Sequence, residues 1–125
     1  MTAFSSFAGQ RYLNLESFRK NGAAVQTPLW FAQDGAVIFI YSTADSGKAK
    51  RIRRDVAVRI APCDIRGTLN GDWIAARAAP VTGAAFERGM MLLDRKYFPI
   101  KQLLGVMAWF RPRARVVIAI RVAAE

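Results

Sequence analysis

Histidine is missing from the sequence altogether, and cysteine occurs once, at Cys63. Without histidine, the Ser-His and Cys-His pairs of nucleophilic catalysis are excluded, and we expect no metal site. A single cysteine excludes an internal disulfide and a thiolate zinc cluster. The chemistry of this chain must therefore come from other side chains or from a cofactor.

Targeting signals and long apolar runs are also lacking. Residues 1–10 show no basic start followed by an apolar stretch, which a signal peptide would have. The apolar run at residues 35–41 is far shorter than the ~20 residues that span a bilayer, and the C-terminus carries no lipidation box. We expect a soluble, cytoplasmic protein with no membrane span.

Acidic residues are few: 9 Asp and Glu stand against 19 Lys and Arg, a net charge of +10. This field attracts nucleic acid, membrane surfaces or phosphorylated small molecules, and charge alone does not choose among them. The length of 125 residues, with 53% apolar and 22% charged side chains, predicts a single globular domain over residues 1–125. The apolar share is slightly high, which favours burial of surface by another subunit.

Local patterns predict an antiparallel barrel. Apolar and alternating runs predict strands at residues 23–32, 36–42, 56–64, 73–81 and 114–123. Caps, stops and helical spacing predict helices at residues 14–20, 47–55, 82–95 and 100–110. Short turns between strands favour a mainly β (α+β) fold, with an antiparallel barrel and short flanking helices, over a βαβ sheet.

Particular residues refine this prediction. Asn14 and Gly22 suggest the cap and stop of the first helix. Asp34–Gly35 predicts a hairpin between the first two strands, and Pro28 marks an edge position or a bulge. Both faces of strand 36–42 are apolar, so a barrel interior must cover one and a helix or partner subunit the other.

The strongest chemical motif runs from the end of strand 36–42 into helix 47–55. Hydroxyl residues end the strand, Ser46 or Asp45 can cap the helix, and lysines begin it. Backbone N–H groups at a helix start, hydroxyl donors and lysine charges together suit a phosphate. It is not a P-loop, because the glycine spacing and the Ser/Thr after the lysine are absent. A merely solvated basic helix is the alternative.

Two weaker motifs lie on either side. The flat aromatic side chain of Trp30, beside Thr27 and Pro28, could seat a heteroaromatic ring, although core packing also explains it. Cys63 could be a reactive thiol, but a buried small hydrophobic residue is the more common role.

In this order and spacing, residues 25–81 resemble the pyridoxamine 5'-phosphate oxidase-like split β-barrel superfamily, most closely its branch that depends on the deazaflavin F420. The matching segments are Thr27–Pro28 with Trp30–Phe31, Asp34–Gly35, Tyr41–Thr43 leading to Lys48, Arg53–Asp55 before Val58–Ile60, Ala61–Asp64 with Gly67, and Arg95–Tyr97. The chain has Val56–Ala57 where these proteins usually have proline.

The resemblance implies an FMN-binding type of split barrel that forms a homodimer, with the cofactor, F420 or FMN, at the subunit interface. It implies phosphate contacts at Ser42, Thr43, Lys48 and Lys50. It implies ring contacts at Thr27, Pro28 and Trp30. Tyr41 is a further cofactor-binding candidate, and a proton donor, if the reaction needs one, could be Tyr41 or solvent. Residues 98–111, rich in large apolar side chains, could cover the barrel or the pocket.

Hydride transfer to or from a small organic substrate is the activity that this resemblance implies, and it requires no histidine because the cofactor supplies the chemistry. One alternative is a non-catalytic carrier of a flavin, deazaflavin or tetrapyrrole. A second is a nucleic-acid-binding module, but no aromatic residues are interleaved with the basic run as stacking platforms require. We therefore expect no specific nucleic-acid partner.

Overall fold

The computed structural model describes residues 4–43, 46–97 and 115–123, which form one curled sheet and two helices. The elements in chain order are a 3-10 turn (Ser5–Phe7), β1 (Tyr12–Phe18), β2 (Ala24–Trp30), β3 (Ala32–Asp34), β4 (Val37–Thr43), α1 (Gly47–Arg54), β5 (Ala57–Cys63), β6 (Ile74–Val81), α2 (Gly83–Lys96) and β7 (Arg115–Val122).

All paired strands of the sheet are antiparallel, in the order β2-β1-β5-β6-β7-β4-β3. The sheet curls until β2 touches β4. The predicted split antiparallel barrel with short flanking helices is therefore confirmed. Pro28 lies on the edge strand β2, as its missing N–H requires.

The inside of the curl is the main hydrophobic core. Leu13, Leu15, Ile40, Ile60 and Ile118 are among its fully buried members. The 3-10 turn closes one end of the barrel with Phe4 and Phe7, whose rings pack edge-to-face, and the Phe7 ring packs edge-to-face onto Phe31 as well. Helix α1 closes the other end with Ile52.

The outer face of β4 and β7 is covered by α2. Phe39, Val117 and Ala119 point outward and pack against Phe86 and Met90 of the helix. The expectation that both faces of β4 are covered is therefore confirmed, and α2 is the covering element.

The helix predicted at residues 14–20 is wrong, because this segment lies in β1. Leu13 and Leu15 face the core, while Asn14 and Glu16 face outward, where Asn14 donates to the Gly67 carbonyl at 3.1 Å and Glu16 pairs with Arg59. Gly22 does adopt positive φ (88°), but as the last residue of the turn that joins β1 to β2. Glycine at positive φ is common both at the ends of helices and in hairpin turns, so Gly22 did not distinguish the two.

The hairpin at Asp34–Gly35 is confirmed, with Gly35 at φ 59°, but its first strand is shorter than predicted. The predicted strand 23–32 is two strands, broken at Phe31. Only the second, β3, pairs with β4, while β2 pairs along its whole length with β1.

The other elements follow the sequence prediction closely. Helix α1, strands β5, β6 and β7, and helix α2 each lie within two residues of their predicted limits. The helix predicted at residues 100–110, and with it any role of residues 98–111, lies outside the described residues. Of the two helices in the described ranges, neither combines the length and apolar character that crossing a membrane would take.

Candidate functional site

Two serines hold the junction between β4 and α1. Ser46 is the N-cap predicted from the sequence: its Oγ accepts a hydrogen bond from the Ala49 N–H at 3.1 Å. The same Oγ lies 2.7 Å from Oγ of the buried Ser42. When Ser46 donates within this pair, the hydroxyl proton of Ser42 is left for a further acceptor.

The charge of α1 is entirely positive. Its eight residues contain five cations and no acid, namely Lys48, Lys50, Arg51, Arg53 and Arg54. Cations in the first turn oppose the positive end of the helix dipole. An anion bound at this end would remove that repulsion.

Lys48 and Lys50 differ in their surroundings. Burial lowers the pKa of half-buried Lys48, and the charge of Arg51 lowers it further. Lys50 is exposed, and residues two apart on a helix do not face each other. The structure therefore does not bring the two predicted lysines together on one group.

Arg51 is the partner of Lys48 that sequence reasoning missed. Its Nε donates to Ser17 Oγ at 2.7 Å, and its Nη1 lies so close to the first turn that a Cβ on Gly47 would be 2.8 Å away. The spacing of three between Lys48 and Arg51 places both on one helix face. That spacing was a signal available in the sequence.

The predicted ring contact Trp30 lies in a separate cluster on the outer face of the sheet. Its indole stacks on the Tyr97 ring, with centroids 4.6 Å apart and planes at 12°. Tyr41 and Leu93 pack into the same cluster, and burial is the main cause that raises the pKa of Tyr41. The structure therefore brings Trp30 and Tyr41 together and adds Tyr97, which sequence reasoning had not placed at the site.

Thr27 and Pro28 lie on β2, opposite Leu15 and Asn14 of β1. Thr27 is half-buried and Pro28 is exposed. Because successive strand residues point to opposite faces, these two side chains cannot both contact one ring from the same side.

The same alternation separates Tyr41 from Ser42. Tyr41 faces outward to α2, whereas Ser42 faces the barrel end closed by α1. The predicted site thus consists of two parts, a phosphate part at α1 and an aromatic part beside α2. Thr43 ends β4, and its side chain lies outside the described residues.

Cys63 is a buried side chain of the barrel wall. It is 2% exposed, and burial raises the pKa of its thiol to about 11. Such a thiol is protonated at neutral pH, so the structural interpretation of this cysteine is confirmed. In the described ranges, His, Cys, Asp and Glu form no group of three that could hold a metal ion.

No protein-family model and no curated protein sequence matches the chain. Among solved structures, it is similar to a candidate pyridoxamine 5'-phosphate oxidase from Listeria innocua, with a TM-score of 0.69 and 15% identity over 97% of this chain and 90% of that one. It is also similar to an F420 reductase, with a TM-score of 0.61 and 22% identity over 96% and 92% of the two chains.

A third similar structure has a different ligand. HutZ, the heme storage protein from Vibrio cholerae, superposes with a TM-score of 0.72 and 10% identity, covering 94% of this chain and 85% of that one. The shared feature of these proteins is the barrel, and their ligands differ. The chain thus has the split β-barrel fold of the pyridoxamine 5'-phosphate oxidase-like proteins, as the resemblance in its sequence indicated.

Proposed function

We propose that this protein is an oxidoreductase that uses F420 or FMN, and that it binds the cofactor phosphate at the first turn of α1. The observation that carries the proposal is the first turn of α1, where Arg51 Nη1 lies beside Gly47 and Ser42 is bonded to the N-cap Ser46. Lys48 lies on the same helix face as Arg51, and the helix dipole is positive at this end. A phosphate monoester suits this donor set, because it carries up to two negative charges and accepts several hydrogen bonds.

The two-part site suits a ligand with a charged end and a flat ring. The aromatic part, Trp30 with Tyr97 and Tyr41, offers stacking surface for a heteroaromatic ring. In one chain the two parts lie on opposite faces of β4. We propose that a second copy of the chain brings the aromatic part of one subunit near the phosphate part of the other. Homodimer formation with the cofactor at the interface is therefore part of the proposal.

A bound flavin or deazaflavin supplies hydride transfer itself. The residues of this chain then have three tasks. Lys48 and Arg51 anchor the phosphate, Trp30 orients the ring, and the apolar side chains beside α2 exclude water. Tyr41 is the proton donor that we propose to test if the reaction requires one, since it packs into the aromatic part of the site, where the ring would lie.

Titration of the protein with F420 and with FMN tests the proposal. We expect Lys48→Gln and Arg51→Gln each to weaken binding by about tenfold or more, since a hydrogen bond to a charged group contributes ~1.5–3 kcal/mol. Lys50→Gln is the matched control, because it removes the same charge from the same helix at an exposed position. Its effect should be under about twofold.

Two outcomes would count against the proposal. If Lys50→Gln weakens binding as much as Lys48→Gln, the effect is one of overall charge and not of a site. If hemin binds and neither F420 nor FMN does, the chain is a tetrapyrrole carrier, in keeping with its likeness to the heme storage protein.

A further inference from the structure

Two cations beside the Trp30–Tyr97 stack have no task in the proposed function. Nζ of Lys96 lies 3.4 Å from the centroid of the Phe31 ring and 5.4 Å from that of Tyr97. The guanidinium carbon of Arg11 lies 6.0 Å from the Tyr97 centroid. The end of α2 and the start of β1 thus place two positive charges on one tyrosine.

Neither cation has a protein acceptor for its hydrogen bonds among the described residues; Lys96 is half-buried, whereas Arg11 is exposed to water. Over residues 4–43, 46–97 and 115–123, the side chains of Arg11 and Lys96 make ring contacts only, with no hydrogen bond and no ion pair. Burial, and after it the charge of Arg11, lowers the pKa of Lys96 to about 8. A half-buried ammonium beside another cation is costly unless an anion lies between them.

An open cavity of about 490 Å³ adjoins Arg11. Tyr12, Cys63 and Ile65 give it apolar walls, and Ile65 is 67% exposed, a large fraction for an isoleucine. Asp64 also lines it, and its Oδ1 accepts the backbone N–H groups of Arg66 and Thr68, at 2.8 and 3.0 Å. A bound anion is therefore favoured at the Arg11 edge of the cavity, away from this acid. The cavity therefore combines apolar walls with one cationic edge, which Arg11 forms. Lys96 does not line the cavity but lies near Arg11, since both contact the Tyr97 ring.

We propose that Arg11 and Lys96 bind the anionic group, carboxylate or phosphate, of a small organic acid whose apolar body lies against Tyr12 and Ile65. The guanidinium and ammonium together offer several donors, and the anion neutralises their repulsion. An apolar body would cover surface that Ile65 now exposes to water.

This site is distinct from the phosphate part at α1. Arg11 precedes the first residue of β1, whereas α1 is bonded through Arg51 and Arg54 to Ser17 and Phe18 at the other end of that strand. A strand of this length spans roughly 20 Å. Binding of the acid thus does not depend on the phosphate contacts at α1. The acid site does adjoin the aromatic part through Tyr97, so it is tested without cofactor.

Calorimetric titration of the full chain, without cofactor, tests the site. Benzoate and phenyl phosphate are the aromatic probes, and acetate and inorganic phosphate are their counterparts without a ring. We expect at least one aromatic probe to bind more tightly than its counterpart, and a comparison of the two shows which anionic group is preferred. Lys96→Gln and Arg11→Gln should each weaken that binding by about tenfold or more.

Arg95→Gln is the matched control, since it removes one charge from the same helix end at an exposed position. We expect it to change affinity by less than about twofold. Lys96→Arg keeps the charge and should retain most of the binding, which separates a role in binding from a role in folding. Affinity should also fall as the pH rises through about 8, where Lys96 loses its proton, and this dependence should disappear in Lys96→Gln.

Three results would overturn the inference. The first is that the aromatic acids bind no better than acetate and inorganic phosphate. The second is that Lys96→Gln leaves affinity unchanged. The third is that Lys48→Gln abolishes benzoate and phenyl phosphate binding, because the anion would then lie at α1.

Discussion

Tyr97 is the residue on which three segments of the chain meet. Its hydroxyl accepts a hydrogen bond from the Phe31 N–H at 2.9 Å and can donate to the carbonyl of Arg11, 2.6 Å away, or of Phe31. The bond satisfies a buried backbone donor where β2 breaks from β3, while the ring supports Trp30. One side chain therefore links the end of α2 to the start of β1 and to the aromatic part of the site.

Replacing Tyr97 by Phe should destabilise the fold by about 1–3 kcal/mol, because the Phe31 N–H would be left buried without an acceptor. Burial raises the pKa of Tyr97 from 10.0 to about 12. The unfolded chain therefore loses this proton first, and stability falls between those two pH values. Urea unfolding measures both effects, and the part of the alkaline loss due to Tyr97 should vanish in the variant.

Tyr12→Phe is the control for this prediction, since Tyr12 is half-buried on a strand and its hydroxyl has no hydrogen bond within the described residues. A change in unfolding free energy as small for Tyr97→Phe as for Tyr12→Phe would contradict the role assigned to the Tyr97 hydroxyl.

At the level of single residues, the chemical role of a site residue could be predicted from the sequence, but the side of the sheet that its side chain faces could not. The cap at Ser46 and the charge of α1 could be predicted because each depends on neighbours in the sequence. The opposite faces of Tyr41 and Ser42, and the stack of Trp30 on Tyr97, depend on which side of β4 each helix covers. The side that each helix covers is set by tertiary packing between residues that lie far apart in the sequence.

Among the elements, β1 shows best what the sequence left open. Its apolar and polar residues alternate with period two, but a cap residue at Asn14 and a stop at Gly22 also suit a helix. The segment forms a strand because it pairs with β2 on one side and with β5 on the other. By contrast, β7 alternates over eight residues without competing helix signals, and its prediction was nearly complete.

The packing of α2 on the sheet depends on Gly89. A Cβ at this position would lie 2.7 Å from Val117 Cγ1 and 2.9 Å from Phe39 Cδ1, both on the buried outer face of the sheet. The helix can therefore approach β4 and β7 closely only because this residue has no side chain.

Gly89→Ala should lower the free energy of unfolding, although alanine favours helices by about 1 kcal/mol over glycine. Overpacking of a tight core contact costs typically ~1–3 kcal/mol, and the added Cβ would meet atoms of both Val117 and Phe39, so overpacking outweighs the helix preference. Val117→Ala makes room for the new methyl group, and the double variant should be less destabilised than the two single effects predict. Strictly additive effects, measured by urea unfolding, would contradict the close approach.

At the scale of the whole molecule, net charge and apolar surface act in opposite directions. Each copy carries +10, which opposes self-association. In the described part of the chain, five large apolar side chains are nevertheless exposed, and these are Val56, Ile65, Leu69, Met91 and Val122. A second copy could cover those other than Ile65, which the proposed acid site uses. In the proposed function, a dimer would also complete the two-part site.

We predict that the protein is a homodimer at micromolar concentration and that salt strengthens its association. Two like-charged copies repel, and the Debye length falls from about 10 Å at 0.1 M salt to about 3 Å at 1 M, so added salt removes the repulsion while apolar contacts persist. Sedimentation equilibrium over that range of salt measures the dissociation constant of the dimer directly.

Binding of DNA should weaken as salt rises, opposite to the dimer, because each neutralised phosphate lowers log affinity by about 0.9 per log unit of salt. A monomer at every salt concentration would refute the dimer. If in addition DNA binds tightly with a slope implying many phosphates, the basic surface is a nucleic-acid interface and the phosphate assigned to α1 belongs to a polynucleotide.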